Sequence, residues 1–478
     1  MNPANHPLVV DLDGTLTPTD TLAESGLKLI RRSPASLLRM PFWLLSGRAG
    51  FKRAIAARGG VAAASLPYHQ PLLDYLRAEK ARGRRIVLAT AAHSSIADEV
   101  AGHLGLFDQV LATGAGDNLK GAAKLSMIRR EVGADFVYAG DSRADLPVWQ
   151  GARGAILVGA SARIRGIVRG GAVPVEREFE RHSRSLTVWL RALRAHQWLK
   201  NLLLFVPLFA AFSFHDLAKL AHLALAFVSF SLAASATYVV NDLWDLESDR
   251  AHPRKKLRPF ASAQLPIVQG LLVAGTALAA ALALAALVSP GFLLVLLLYL
   301  ALTSAYSWVL KEYMLVDVLM LSLLYTLRIQ AGAVATGITA SSWLLAFSVF
   351  VFLSLALIKR CSELVLLRQD GRTATRGRDY RVDDLEVLWP LGVGAALSAV
   401  VVLGLFISAP ETQARYRTPD LLWLAAFGMI YWLGRLWIKT SRGEMHDDPV
   451  VYAVRDGGSR AAILAIVALA LAARFLTF

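Results

Sequence analysis

The chain has 478 residues, 55% of them hydrophobic and 18% charged, with a single cysteine and a formal net charge of +15. Those figures exclude a disordered or collagen-like chain and a disulfide scaffold, and they are too apolar for a wholly soluble protein. The basic excess leaves nucleic acid, anionic lipid or phosphorylated substrates as partners, to be separated by where the charges lie.

Residues 1–184 read as a soluble α/β domain, in which short apolar runs (Leu8-Val9-Val10, Ile86-Val87-Leu88, Phe136-Val137-Tyr138) alternate with charged, helix-forming stretches. Residues 1–7 carry no basic n-region and do not read as a signal peptide, so this domain is expected in the cytoplasm. The first run ends in Asp11-Leu12-Asp13-Gly14-Thr15. Two carboxylates at i and i+2 after a strand can both reach one phosphate if the backbone turns sharply at the glycine, one attacking and the other managing protons. A strand ending in Thr90, a basic residue Lys120 within Asn118-Leu119-Lys120-Gly121, and the acidic run Gly140-Asp141-Ser142-Arg143-Ala144-Asp145 follow in order.

These four motifs resemble those of the haloacid dehalogenase phosphohydrolases. The resemblance implies an α/β haloacid dehalogenase-like (Rossmann-type) domain over residues 1–165, with a small helical cap at about 19–70 that governs substrate choice. It makes Asp11 the nucleophile and Asp13 the general acid and base. Thr90 and Lys120 would hold the phosphoryl oxygens, with Lys124, one helical turn on, the alternative for the basic role. Asp141 would complete a Mg²⁺ site with Asp11 and the Asp13 carbonyl, supported by Asp145. Residues 166–188, of mixed charge, read as a linker.

Long apolar blocks then take over, each near the ~20 residues needed to cross a bilayer. Nine are counted, at 198–214, 217–240, 265–289, 291–310, 315–337, 342–362, 386–409, 420–438 and 461–477. An all-α membrane domain of nine transmembrane helices over 189–478 is therefore expected. Cations gather in alternate loops, among them Arg250, Arg254, Lys256, Arg368, Lys439 and Arg442, which puts the N-terminus in the cytoplasm of a bacterial-type inner membrane and the C-terminus outside. One-sided charge of this kind disfavours nucleic acid.

After the second block the chain reads Asn241-Asp242-Leu243-Trp244-Asp245-Leu246-Glu247-Ser248-Asp249, followed by a run containing Lys255 and Arg258. Asn241, Asp245 and Asp249 are spaced by four, which stacks three hard oxygen ligands on one helix face, suited to Mg²⁺ and a substrate phosphate. This resembles the acidic motif of the UbiA-type intramembrane prenyltransferases. Their second acidic motif is replaced by Lys359-Arg360-Cys361-Ser362-Glu363, which favours a further anionic group on the substrate over a second metal. Gln197, Lys200 and Asn201, then Tyr306, Lys311 and Asp317, then Tyr325 and Arg328, complete a likeness to the polyprenyl-phosphate phosphoribosyltransferase branch.

That likeness implies phosphoribosyl pyrophosphate as donor and a polyprenyl phosphate lipid as acceptor. Asp245 and Asp249 would be catalytic through the metal. The substrates would be bound by Gln197, Lys200, Asn201, Asp242, Lys255, Arg258, Tyr306, Lys311, Asp317, Tyr325, Arg328, Lys359, Arg360 and Glu363. Asp317 and Arg328 read alternatively as an ion pair between helices. The N-terminal domain would then remove the 5-phosphate from the lipid-linked pentose. Three other readings stand beside this one: an aromatic prenyltransferase with an accessory phosphatase, a membrane-anchored phosphatase of soluble phosphates, and a transporter. A homo-oligomer is left open.

Overall fold

In the computed structural model, residues 6–45, 47–114, 119–180, 185–374, 378–445 and 448–476 are described; Asn118 of the basic motif lies outside them. The chain divides into two compact units, Met1–Leu193 with Tyr238–Gly275, and Arg194–Thr237 with Thr276–Phe478.

The first unit is built on a six-stranded parallel sheet: β1 (Leu8–Val10), β2 (Ile86–His93), β3 (Gln109–Thr113), β4 (Val137–Gly140), β5 (Gly154–Val158) and β6 (Val175–Phe179), in the order β3-β2-β1-β4-β5-β6. The central strands β1, β4 and β5 are buried throughout, which is why each reads as an unbroken apolar run. The chain order reverses between β1 and β4, and in such sheets the crevice beyond the strand ends at that reversal receives ligands. The cap expected over 19–70 is present as helices α1 (Thr21–Arg32), α2 (Ser36–Leu45) and α3 (Gly47–Gly59).

The expectation of a linker over 166–188 needs correction. Val175–Phe179 pairs in parallel with β5, from Ala155 opposite Val175 to Val158 opposite Phe179. It is an edge strand, whose outward residues are free to be charged, and Arg165 and Arg169 both pair with its Glu178. The mixed composition thus belongs to the rim of a sheet.

Among the described residues eight helices are long and apolar enough to cross a bilayer. With the α/β helix α4 (Ala122–Glu131) and the short α6 (Leu246–Ala251) included in the count, they are α5 (Leu217–Trp244), α7 (Ile267–Val288), α8 (Pro290–Trp308), α9 (Val316–Thr336), α10 (Ser342–Gln369), α11 (Leu385–Ser408), α12 (Leu421–Ser441) and α13 (Gly457–Phe475). The block expected as a helix at 198–214 instead forms an 11-residue 3₁₀ helix, Ala195–Phe205, and a short α-helix, Val206–Ala210. Pro207 offers no N–H to the turn before it, so an α-helical ladder running through this point would lack a bond there.

The tighter winding also has a partner. Trp198 Nε1 donates to Ser235 Oγ and Asn201 Nδ2 to Ser231 Oγ, each at 3.0 Å. Three residues of 3₁₀ helix rise about 6 Å, as do four residues of α-helix, so polar groups at i and i+3 on one meet groups at i and i+4 on the other. Trp198 is therefore packed against α5. On another side Gly332 of α9 lies so close that a Cβ there would fall 1.9 Å from the Leu204 carbonyl oxygen.

Candidate active site

Asp11 directly follows β1, and Asp141 directly follows β4, so the reversal of strand order sets the two acids side by side. Gly14 turns with φ +82°, and a Cβ there would lie 2.4 Å from an Asp141 carboxylate oxygen. Only glycine serves both needs. Oxygens of Asp11, Asp141 and Asp145 come within 4.8 Å of one another, a donor set suited to a divalent cation. Asp145 is fixed by its own contacts, accepting from Tyr138 Oη (2.7 Å), Ser142 N (3.0 Å) and Ser142 Oγ (2.9 Å). Asp13 Oδ1 accepts the Thr21 N–H at 2.8 Å, at the start of α1, a helix that Asp20 caps.

Of the two lysines named for the basic role, Lys124 is the one set against the acids. Lys124, on α4 and only 4% exposed, reaches Asp11 at 2.9 Å, Asp145 at 3.7 Å and the Tyr138 hydroxyl at 3.0 Å. Lys120, in the turn before that helix, is exposed at the edge of the same cavity of about 280 Å³. Lys120 has the motif's neighbours, but the helix that follows turns Lys124 inward. Thr90 also departs from expectation. It is fully buried, accepts the Ala92 N–H at 3.0 Å, and leaves Ala91, Ala92 and His93 to line the cavity.

Burial pushes the Asp11 carboxyl up to about 6, against the pull of Lys124. Burial, with Asp20 behind it, pushes Asp13 up to about 7. For Lys124 burial acts the other way, but Asp11 and Asp145 outweigh it and hold its pKa above the ordinary value. Sequence reasoning missed Lys52, which α3 carries into the cavity and which donates to the Ala91 carbonyl at 3.0 Å. Its signal was weak, a lone lysine in a cap of unassigned structure.

At the C-terminal end of α5 and into α6, Asn241, Asp245 and Asp249 keep one helical register: the Asp245 N–H bonds the Asn241 carbonyl at 2.9 Å and the Asp249 N–H bonds the Asp245 carbonyl at 2.8 Å. Asp249 is buried, and burial raises its pKa against the opposing effect of Arg258. Arg258 bridges Asp249 (2.6 Å) and Asp242 (3.1 Å), and Lys255 stands 4.0 Å from Asp249. The next residue, Arg250, pairs with Glu24 of α1 at 2.6 Å, both side chains being 8% exposed, and also donates to the Ala261 carbonyl at 3.0 Å. Alongside, Lys28 and Arg31 each lie 3.8 Å from Glu247.

In the second unit Lys200 and Lys359 converge on one carboxylate, Asp448, at 2.7 and 3.6 Å. Lys200 also stands over the Tyr325 ring, 5.5 Å from its centre. Asp448 went unnoticed in the sequence. Its signal was an acid directly before Pro449, the helix-start pattern that it fulfils by capping Pro449–Arg455. Burial would raise its pKa, but the two lysines outweigh that and hold it low.

Other residues expected to bind substrate already have partners within the protein. Arg360 is 1% exposed and pairs with Asp317 and Glu363, while the Tyr306 hydroxyl donates to Asp317 at 2.8 Å. Arg328 donates to Asn201 Oδ1 (3.1 Å), Tyr299 Oη (2.9 Å) and the Leu324 carbonyl (2.7 Å). The Asp317–Arg328 pairing read from the sequence is therefore corrected: each has a different partner. Gln197 and Lys311 are half-buried and belong to neither cluster.

The pattern of the UbiA prenyltransferase family matches residues 202–455. The chain belongs to that family. Residues 8–150 match the haloacid dehalogenase-like hydrolases, so an N-terminal domain of that kind is fused to a UbiA membrane domain. As a member of that family with eight apolar helices of spanning length among its described residues, the protein is a multi-pass membrane protein. It is 40% identical to "Uncharacterized protein y4nM" of Sinorhizobium fredii over 94% of this chain and 87% of that one. Nodulation protein NoeC of Azorhizobium caulinodans is 38% identical over 61% of this chain and 93% of its own. The decaprenyl-phosphate phosphoribosyltransferase of Mycobacterium tuberculosis is 36% identical over 45% of this chain and 72% of its own.

Proposed function

We propose that the protein is a bifunctional enzyme that transfers 5-phosphoribose from phosphoribosyl pyrophosphate to a polyprenyl phosphate, after which the N-terminal domain removes the 5-phosphate. The observation that carries the transferase reading is the Lys200–Asp448–Lys359 cluster. Two ammonium groups share one carboxylate where a second acidic motif would place negative charge, and this suits a substrate with a phosphate beyond its diphosphate. The likeness to decaprenyl-phosphate phosphoribosyltransferases supports the same donor and acceptor.

In this reading the pyrophosphate leaves the ribose C1 with the electrons of the C–O bond, and an oxygen of the lipid phosphate forms the new bond from the other face. The nucleophile is already an anion, so the protein's work is positioning and neutralisation of the leaving group. Mg²⁺, when bound by Asn241, Asp245 and Asp249, would supply positive charge to the pyrophosphate. Their shared helical register and hard oxygens fit that ion, while Arg258 keeps one Asp249 oxygen occupied. Lys255 and Arg258 stand ready to hold phosphate.

In the N-terminal domain Asp11 attacks the phosphorus and Asp13 protonates the departing ester oxygen; Asp13 then takes a proton from the water that hydrolyses the aspartyl phosphate. Lys124 neutralises charge at Asp11, and Asp11 and Asp141 would hold a second Mg²⁺. We further propose that the domain is cytoplasmic and that the segment at 195–210 is a ninth crossing. Its 3₁₀ part and short α-helix rise together about 30 Å, close to the thickness of a bilayer core. Reporters fused to the C-terminus should then report the external side; a cytoplasmic signal sinks the nine-crossing reading.

The deciding assay incubates the purified protein with phosphoribosyl pyrophosphate, polyprenyl phosphate and Mg²⁺ and measures the mass of the lipid. Gain of a pentose, with or without its phosphate, is expected. A lipid of unchanged mass removes the proposal.

A further inference from the structure

Helix α2 presents an unusual surface for the cap of an α/β domain. Leu37, Leu38, Phe42, Leu44 and Leu45 are 52%, 77%, 69%, 55% and 85% exposed, so most of the large apolar side chains of this ten-residue helix face away from the protein. Scattered exposed leucines are ordinary, but five within nine residues form a contiguous patch that water does not favour.

The charge around the patch has one sign. Residues 21–59 contain eight lysines and arginines and one acid, Glu24. Glu24 is taken up by Arg250, so it offers no negative charge outward. Arg32, Arg39, Arg53 and Arg58 are exposed around α2. The Arg58 guanidinium lies over the ring of Trp43, 5.1 Å from its centre, pairing a cation with an aromatic ring at the border of the patch. An apolar face rimmed by arginines with an aromatic at the edge is complementary to an anionic bilayer surface, where the side chains enter the acyl boundary and the guanidiniums meet phosphates. A bilayer is at hand, since the described residues of the same chain include eight helices of spanning length.

We propose that α2 docks the phosphatase cap on an anionic lipid surface, and that this docking brings membrane-held phosphate monoesters to the cavity at Asp11. The second half rests on the reading of the domain as a phosphatase of a lipid-linked product. It follows from connectivity: a single residue separates α2 from α3, which carries Lys52 to the cavity wall. A lipid drawn up beside α2 meets that lysine on its way to Asp11. A soluble phosphate needs no such route.

The test uses full-length protein in nanodiscs containing phosphatidylglycerol. The single native thiol, Cys361, is buried and can be replaced by serine, so that Leu38→Cys carries an environment-sensitive fluorophore. Lipids with a quencher in the acyl chain should quench this label strongly and leave a label at Glu131→Cys, exposed on α4, untouched. Equal, weak quenching at both positions overturns the docking, whatever the enzyme's reaction. In a second arm Leu38→Glu/Phe42→Glu should lower kcat/KM for the lipid-linked pentose phosphate about tenfold while p-nitrophenyl phosphate hydrolysis stays within about twofold. Loss of both activities points to a damaged fold. Quenching at Leu38 with unaltered turnover of the lipid substrate overturns the delivery role and leaves α2 an anchor alone.

Discussion

At the scale of single residues, the phosphatase cavity turns on which lysine faces Asp11. Lys124 is buried against Asp11 and Asp145, whereas Lys120 is exposed. Lys124→Ala should therefore lower kcat for p-nitrophenyl phosphate about 10²-fold or more, while Lys120→Ala changes it only severalfold. Comparable losses would return the role to Lys120. Protons and metal also compete here. With Asp11 raised to about 6, lowering the pH through that value protonates the carboxylate that Mg²⁺ would need. The Mg²⁺ concentration for half-maximal hydrolysis should accordingly rise between pH 7.5 and pH 5.5. A pH-independent requirement would place the metal away from Asp11.

At the scale of elements, two contacts decide packing. Glu24 and Arg250 form a pair that is largely removed from water, backed by Thr19 Oγ1 donating to Glu24 at 2.7 Å. Glu24→Gln leaves the arginine without its counter-charge, and breaking such a pair typically costs ~3–5 kcal/mol, visible as a lower unfolding midpoint of the first unit. Gly332→Ala should destabilise the second unit by ~1–3 kcal/mol, because α9 must move away from the Leu204 carbonyl. Thermal unfolding in detergent checks both. The pair was half legible: Glu24, Lys28 and Arg31 recur at helical spacing, as do Glu247 and Arg250, but only tertiary structure shows that the two faces match. The eight long apolar blocks were legible because lipid imposes one composition over ~20 residues. The 3₁₀ segment was not, since its apolar content is that of a span and its winding is set by the serines of α5 and by Pro207.

For the whole molecule, the two proposed reactions are separable by substitution. Asp11→Asn should leave transfer intact and accumulate the 5-phosphorylated lipid by mass; an unchanged product would assign the phosphatase to another substrate. Asp245→Ala should abolish transfer and spare p-nitrophenyl phosphate hydrolysis. The motifs pointing to both chemistries lay in short stretches of sequence; the oxygens of Asp11, Asp141 and Asp145 gather from two strand ends, and Asn241, Asp245 and Asp249 keep one helical register. What sequence could not show was the commitment of charge. Arg328 and Arg360 look available as letters, yet both are spent on partners from distant segments, and Asp448 acquires its place only when Lys200 and Lys359 reach it.

The meshing of Ala195–Phe205 with α5 has a further consequence, for how this stretch can change over time. Three residues of one helix are geared to four of the other, so side chains there can be exchanged singly while the length cannot. Removing one residue ahead of Trp198 would turn the rest of the segment by about 120°, carrying Trp198 and Asn201 off their serines and Lys200 off Asp448 together. Among functional descendants of this chain, variation between Arg194 and Val206 should be confined to substitution, with the spacing from Trp198 to Asn201 held fixed.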